Sequence, residues 1–321
     1  MPASQLVAVP AAPAAPLPAG GAEGPPGTEA SRRLLAPALE PRPLTLWGSS
    51  SMSSEGGANA TPLPVRLHEH LALALAPAPV HAYGVGATRS GHTLLMRGLD
   101  TPRLRRLADP SPEDGRVPVA LDSGLAPAGP IRIPGAVDGA PGALDGSSGS
   151  WFFVPEDPAS TGGEGIFTSS LARRTEDSRQ VLWTGKNNIL EVAQVLEDTQ
   201  RLWDAAPDPA QDTLVLGHWP TPFDPIGSET AEAVAAVNEE QSRRYGRHFL
   251  DLAALLTGEE GLCCAPLAPL RLLEQAATHD ALAEGVVPAA LRAPDDIHLN
   301  GWGNLAVTWA IVHRMRELRW L

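Results

Sequence analysis

The chain has 321 residues, 43% of them apolar, and a formal net charge of −13. That length suits one large α/β domain, or one domain with a smaller insertion, and the acidic balance argues against a nucleic-acid backbone as partner. Its two cysteines, Cys263 and Cys264, are adjacent. They are too few for a disulfide framework or a zinc site, and are read as thiols that pack or face solvent.

Residues 1–40 are rich in Ala, Pro and Gly. Such a composition cannot bury enough surface to offset the entropy of ordering, so a disordered arm is expected. The first basic residue is Arg32, and no apolar run reaches the ~18 residues that a membrane span needs. Neither a secretory leader nor a spanning helix is expected, and the expected location is cytoplasmic.

Arg42–Trp47 reads as the first strand and runs into Gly48-Ser49-Ser50-Ser51. Gly56, Gly57 and Asn59 mark a loop. Leu63, Leu67, Leu71 and Leu75 then recur at helical spacing over Pro62–Ala76. Val80–Tyr83 reads as a second strand, ending at Gly84-Val85-Gly86-Ala87. Ser90 is placed to cap a helix that stops near Gly98.

From 101 to 178 helical periodicity is lost. Short β-like pieces, Val117–Leu121, Ile131–Ile133, Trp151–Val154 and Gly165–Thr168, alternate with turns such as Asp138-Gly139 and Asp145-Gly146. This predicts a β-rich insertion dividing a main domain made of residues 41–100 and 179–321.

Gln180–Trp183 restores a buried strand, followed by Gly185-Lys186-Asn187-Asn188 and a helix carrying Val192, Val195, Leu196, Thr199, Leu202 and Trp203. Thr213–Leu216 reads as a strand, Glu229–Tyr245 as a helix, Phe249–Leu252 as a strand and Leu270–Ala277 as a helical piece. The chain closes with Asp295-Asp296-Ile297-His298 and a helix over Leu305–Leu318. Strands alternating with helices imply a parallel sheet covered on both faces. Sites in such sheets lie beyond the carboxyl ends of the strands, where Ser50, Gly86 and Asn187 would meet.

A serine hydroxyl needs an adjacent base to become a nucleophile. A histidine oriented by a carboxylate supplies one. Ser50 is the expected nucleophile, His298 the base and Asp295 its partner, with Asp296 the rival carboxylate. Backbone N–H groups of Ser50, Gly86 and Ala87 and the amide of Asn187 are the expected oxyanion donors.

Four segments in this order resemble the four blocks of the SGNH (GDSL-type) hydrolase superfamily. They are Gly48-Ser49-Ser50, Gly84–Ser90, Gly185-Lys186-Asn187-Asn188 and Asp295-Asp296-Ile297-His298. The likeness covers about 42–98 and 180–321, not the arm or the insertion. It implies a flavodoxin-like three-layer α/β/α sandwich and ester hydrolysis without cofactor or metal, on a small-molecule or glycan ester, acetyl first. It gives Ser50, His298 and Asp295 the triad roles and Asn187 an oxyanion role. Ser49 and Asn188 stand where the family has Asp, and Ala87 where it has Gly.

Other readings carry less. An acyltransferase would use the same triad, and a catalytically silent glycan-binding protein would keep the fold as a scaffold. His68-Glu69-His70 resembles a metal set, but i and i+2 point apart on a helix. A dinucleotide fingerprint at Gly84-Val85-Gly86 would need glycine at 89, which is Arg. His218-Trp219-Pro220 follows a strand and reads first as structural, second as pocket lining.

Overall fold

The computed structural model describes residues 42–53, 64–111, 115–157, 163–171 and 177–321. The arm expected over 1–40, the loop at Gly56, Gly57 and Asn59, and the first residues of the helix expected from Pro62 lie outside them.

Five strands form a parallel sheet: β1 (Leu44–Gly48), β2 (Val80–Gly84), β9 (Arg179–Trp183), β10 (Thr213–Leu216) and β11 (Phe249–Leu250), in the order β11-β10-β9-β1-β2. β1 is central, pairing Leu44 with Val80 on one side and with Arg179 on the other. Side chains alternate across a strand, and two cores follow from that alternation. Leu44, Leu46, Val181 and Leu214 face one core, while Trp47, Leu182 and Val215 face the other.

Helices cover both faces. The first core takes Leu67, Leu71 and Leu75 from α2 (Leu67–Leu75), Leu252 and Leu256 from Leu252–Thr257, and Ala306, Val307 and Ile311 from the terminal helix (Gly301–Glu317). The second takes Leu94, Leu95 and Met96 from α3 (Ser90–Arg97), Leu202 from α4 (Val192–Asp204) and Tyr245 from α5 (Glu229–Tyr245). A single-turn helix, α1 (Ser50–Ser53), follows β1 directly.

Several ends differ from the sequence expectation. The terminal helix starts at Gly301, because Asn300 Oδ1 accepts from the N–H groups of Trp302 and Gly303. The last strand stops at Leu250, since the Asp251 carboxylate caps the next helix at Ala254 N. Over 270–277 the chain forms 3₁₀ turns around Arg271, which is left-handed at φ 47°, and the helix begins at Ala276.

Between α3 and β9 lie β3 (Arg103–Arg106), β4 (Val117–Leu121), β5 (Arg132–Val137), β6 (Ala140–Asp145), β7 (Phe152–Pro155) and β8 (Gly165–Ser169). They close into an antiparallel barrel in the order β3-β4-β7-β6-β5-β8. Its buried side chains, among them Leu104, Val119, Ile133, Phe153 and Phe167, are continuous with the second core of the sheet. Asp138 and Gly139, both at positive φ, turn β5 into β6 as a two-residue hairpin requires. No helix of the described residues is long and apolar enough to cross a membrane.

Candidate active site

A small cleft opens at the carboxyl edge of the sheet. It is lined by residues that follow β1 (Ser49, Ser50, Ser51), β9 (Lys186, Asn187) and β10 (His218, Trp219, Thr221), by Trp183 at the end of β9, and by Ile297 and His298 from the loop before the terminal helix.

Ser50 opens α1 and is buried. Its position depends on Gly48. A Cβ there would stand 2.1 Å from the Trp183 carbonyl and 2.8 Å from Met52 Cγ. Only glycine lets β1 pass that close to β9 before the chain turns into α1.

His298 is buried and its Nδ1 lies 2.8 Å from Asp295 Oδ2. The other carboxylate oxygen, Oδ1, accepts from the backbone N–H groups of Ile297 and His298, each at 3.0 Å. Burial works against the Asp295 charge, but these hydrogen bonds outweigh it and hold the carboxyl below its usual range. An ionised carboxylate only accepts, so Nδ1 carries the proton it donates and Nε2 is the basic nitrogen. Asp296 turns away at φ 59° and its Oδ1 pairs with Arg292.

Asn187 is exposed at the cleft, and its Nδ2 donates to the Thr88 carbonyl at 2.8 Å. Gly86 and Ala87 are not among the lining residues. Gly86 is buried against the insertion: a Cβ on Gly129 would meet its carbonyl oxygen at 1.9 Å. Ala87 adopts the left-handed φ of 62°, the conformation a glycine would take there without strain.

Asn188 joins the turns after β2 and β9. Its Oδ1 accepts from Ser90 N, while its Nδ2 donates to Ser90 Oγ and to Glu191 Oε2, all at 3.1 Å. Ser90 Oγ in turn donates to the buried Asp198 at 2.6 Å. An aspartate at 188 could accept but not donate, and would add a carboxylate beside Asp198 and Glu191. Nothing in the structure explains serine at position 49.

Lys186, Thr221 and Ile297 line the cleft beyond the site residues expected from sequence, and His218 and Trp219 line it in keeping with the second of their two readings. The signal for His218 was its place just past a strand's carboxyl end; its reading as structural first gives way to a lining role. Lys186 Nζ lies 2.6 Å from Asp224 Oδ2, which also accepts from Thr221 N and Oγ1. Burial lowers the Lys186 ammonium despite Asp224; Asp224 is held below its usual range despite burial, because these donors converge on it. The Asp224 carboxylate and the Lys186 ammonium form an ion pair at the cleft.

Among the described residues no group of three or more His, Cys, Asp or Glu side chains is placed to hold a metal ion. What the cleft offers is a serine hydroxyl, a carboxylate-held imidazole and an amide donor, the parts of nucleophilic acyl chemistry. The chain matches no protein-family model, and a search of curated proteins finds none that it matches.

Proposed function

We propose that the chain is a serine ester hydrolase of the SGNH type, acting on small acyl esters, acetyl esters first, with carbohydrate esters among its substrates. One observation carries the reading: Ser50 and the Asp295-held imidazole of His298 line one cleft at the carboxyl edge of a parallel sheet. The strand order supports the flavodoxin-like assignment, since β2-β1-β9-β10-β11 corresponds to the 2-1-3-4-5 order of that class.

In this reading His298 Nε2 takes the Ser50 proton as Oγ attacks the acyl carbon. The tetrahedral oxyanion is met by the Ser50 N–H and by the Asn187 N–H that is not bonded to Thr88. Collapse expels the alcohol, which receives the proton from His298. Water, deprotonated by the same imidazole, then releases the acid from Ser50. Asp295 orients the ring and stabilises the imidazolium without itself taking the proton.

A serine-directed fluorophosphonate, read by peptide mass, is expected to label Ser50, and the protein is expected to turn over p-nitrophenyl acetate. Ser50→Ala removes both. A folded sample with neither label nor turnover would sink the proposal, and activity retained in Ser50→Ala would move the nucleophile to Ser49 or Ser51.

A further inference from the structure

His218 is 1% exposed, and neither ring nitrogen finds a hydrogen-bond partner of normal geometry among the described residues. It nonetheless lines the cleft beside Ser50. Its backbone is locked on both sides: Asn238 Oδ1 accepts from His218 N at 2.8 Å, and Asn238 Nδ2 donates to His218 O at 2.7 Å. The Thr184 carbonyl lies beside the ring without meeting it at normal hydrogen-bond geometry, so a rigidly held imidazole at the cleft keeps a ring nitrogen for a ligand group.

The neighbouring charges say which group. Lys186 is balanced by Asp224, and Asp224 Oδ2 is filled by Lys186 and Thr221. The pair therefore adds N–H donors to the cleft but no net charge. Burial, with Lys186 beside it, keeps the His218 ring neutral, so it presents one N–H and one lone pair. An ammonium donor next to an imidazole acceptor complements a hydroxyl, which accepts from one and donates to the other. It does not complement an anion, since the Lys186 charge is already balanced by Asp224 and the imidazole is neutral.

Resting on the hydrolase reading above, we infer that Lys186 and His218 form a hydroxyl-binding subsite beside Ser50, so that the preferred substrate is the ester of a polyol or sugar whose neighbouring hydroxyl is free.

Three acetate esters on one cyclohexane frame test this: one with a vicinal free hydroxyl, one with that hydroxyl methylated, one with a vicinal carboxylate. The free hydroxyl is expected to be preferred over the ether by on the order of 10²-fold in kcat/KM, because a site built to bond a hydroxyl leaves its own groups unpaired without it. Lys186→Met and His218→Phe are each expected to cut that ratio at least about tenfold. The ratio within each variant cancels any general loss of activity. Equal rates for hydroxyl and ether, a ratio unchanged in both variants, or preference for the carboxylate ester would overturn the subsite. If no ester is turned over, the hydrolase reading fails by itself. Saturation-transfer NMR with free trans-1,2-cyclohexanediol and its monomethyl ether then decides the subsite: binding of the diol alone, lost in Lys186→Met, supports it, and equal signals overturn it.

Discussion

Asp295 and Asp296 are neighbours with different partners, and sequence could not separate them because both lie within reach of His298. The structure separates them through the backbone, which turns to positive φ at Asp296 and hands that carboxylate to Arg292. Asp295→Asn is expected to lower kcat by roughly 10³–10⁴-fold, the scale of losing the carboxylate that sets the tautomer. Asp296→Asn loses a half-exposed ion pair worth at most about 1 kcal/mol and leaves kcat within about twofold. Steady-state kinetics on p-nitrophenyl acetate checks both, and the reverse pattern would exchange the two roles. His218 makes a separate prediction about acid. Burial, then Lys186, push its ring down to about 3, while the Thr184 carbonyl and Asp224 oppose them. Unfolded, the ring takes up a proton near its ordinary ~6.5. Between those values the unfolded state binds the extra proton, so stability falls with acidification, by up to about 1.4 kcal/mol per pH unit. Urea unfolding at pH 7 and pH 5 is expected to show this loss in the parent chain and a shallower one in His218→Phe. Parallel pH slopes would remove the ring from the account.

At the scale of elements, what was legible followed chemistry that sequence displays openly. The strand–turn–helix alternation, the Asp138-Gly139 hairpin and the amphipathic α4 could be read directly. Two barrel strands could not. Arg103–Arg106 is mostly charged, and Ala140–Asp145 opens with Ala-Pro-Gly-Ala, residues depleted in strands. Tertiary packing explains the second. Gly135 on β5 pairs with Gly142 on β6, and the rings of Phe167 and Phe153 lie over the bare backbone. A Cβ at either glycine would come within 2.6 Å of a Phe Cζ. Gly142→Ala is therefore expected to cost about 1–3 kcal/mol, read as a lower urea midpoint at unchanged slope. A Cβ at Gly48 would stand 2.1 Å from the Trp183 carbonyl, closer than the 2.5 Å from the Val154 carbonyl that one at Gly142 would meet, so Gly48→Ala is expected to cost at least as much and to reduce turnover with it. An alanine at 48 with full activity would show that β1 can shift without moving Ser50.

At the scale of the molecule, the insertion does not stand apart. Barrel residues such as Leu104 and Phe153 share one core with Leu94, Leu95 and Val215 of the sheet and its helices. The stretch after β4 bridges barrel and main domain: the Ala126 carbonyl lies 2.8 Å from His92 Nε2 on α3, and the Leu125 carbonyl accepts from Trp151 of the barrel at 2.7 Å. The sequence signalled where helices stop and start again, but nothing in its periodicity carried contacts so distant in the chain. The expectation is a single unfolding transition. Phe167→Ala, buried wholly inside the barrel, should cost about 3–5 kcal/mol and lower the midpoints of tryptophan fluorescence and of ester turnover together. Fluorescence and turnover midpoints that separate would make the barrel an independent unit.

One count from the sequence acquires a use from the fold. Lys186 is the single lysine among 24 basic residues, and it lies in the cleft. Burial works against its charge, while the Asp224 carboxylate holds the ammonium in an ion pair. Amine-directed reagents, which on most proteins scatter over the surface, therefore have one side chain to find in this chain, and its protection reports directly on whether the cleft is occupied.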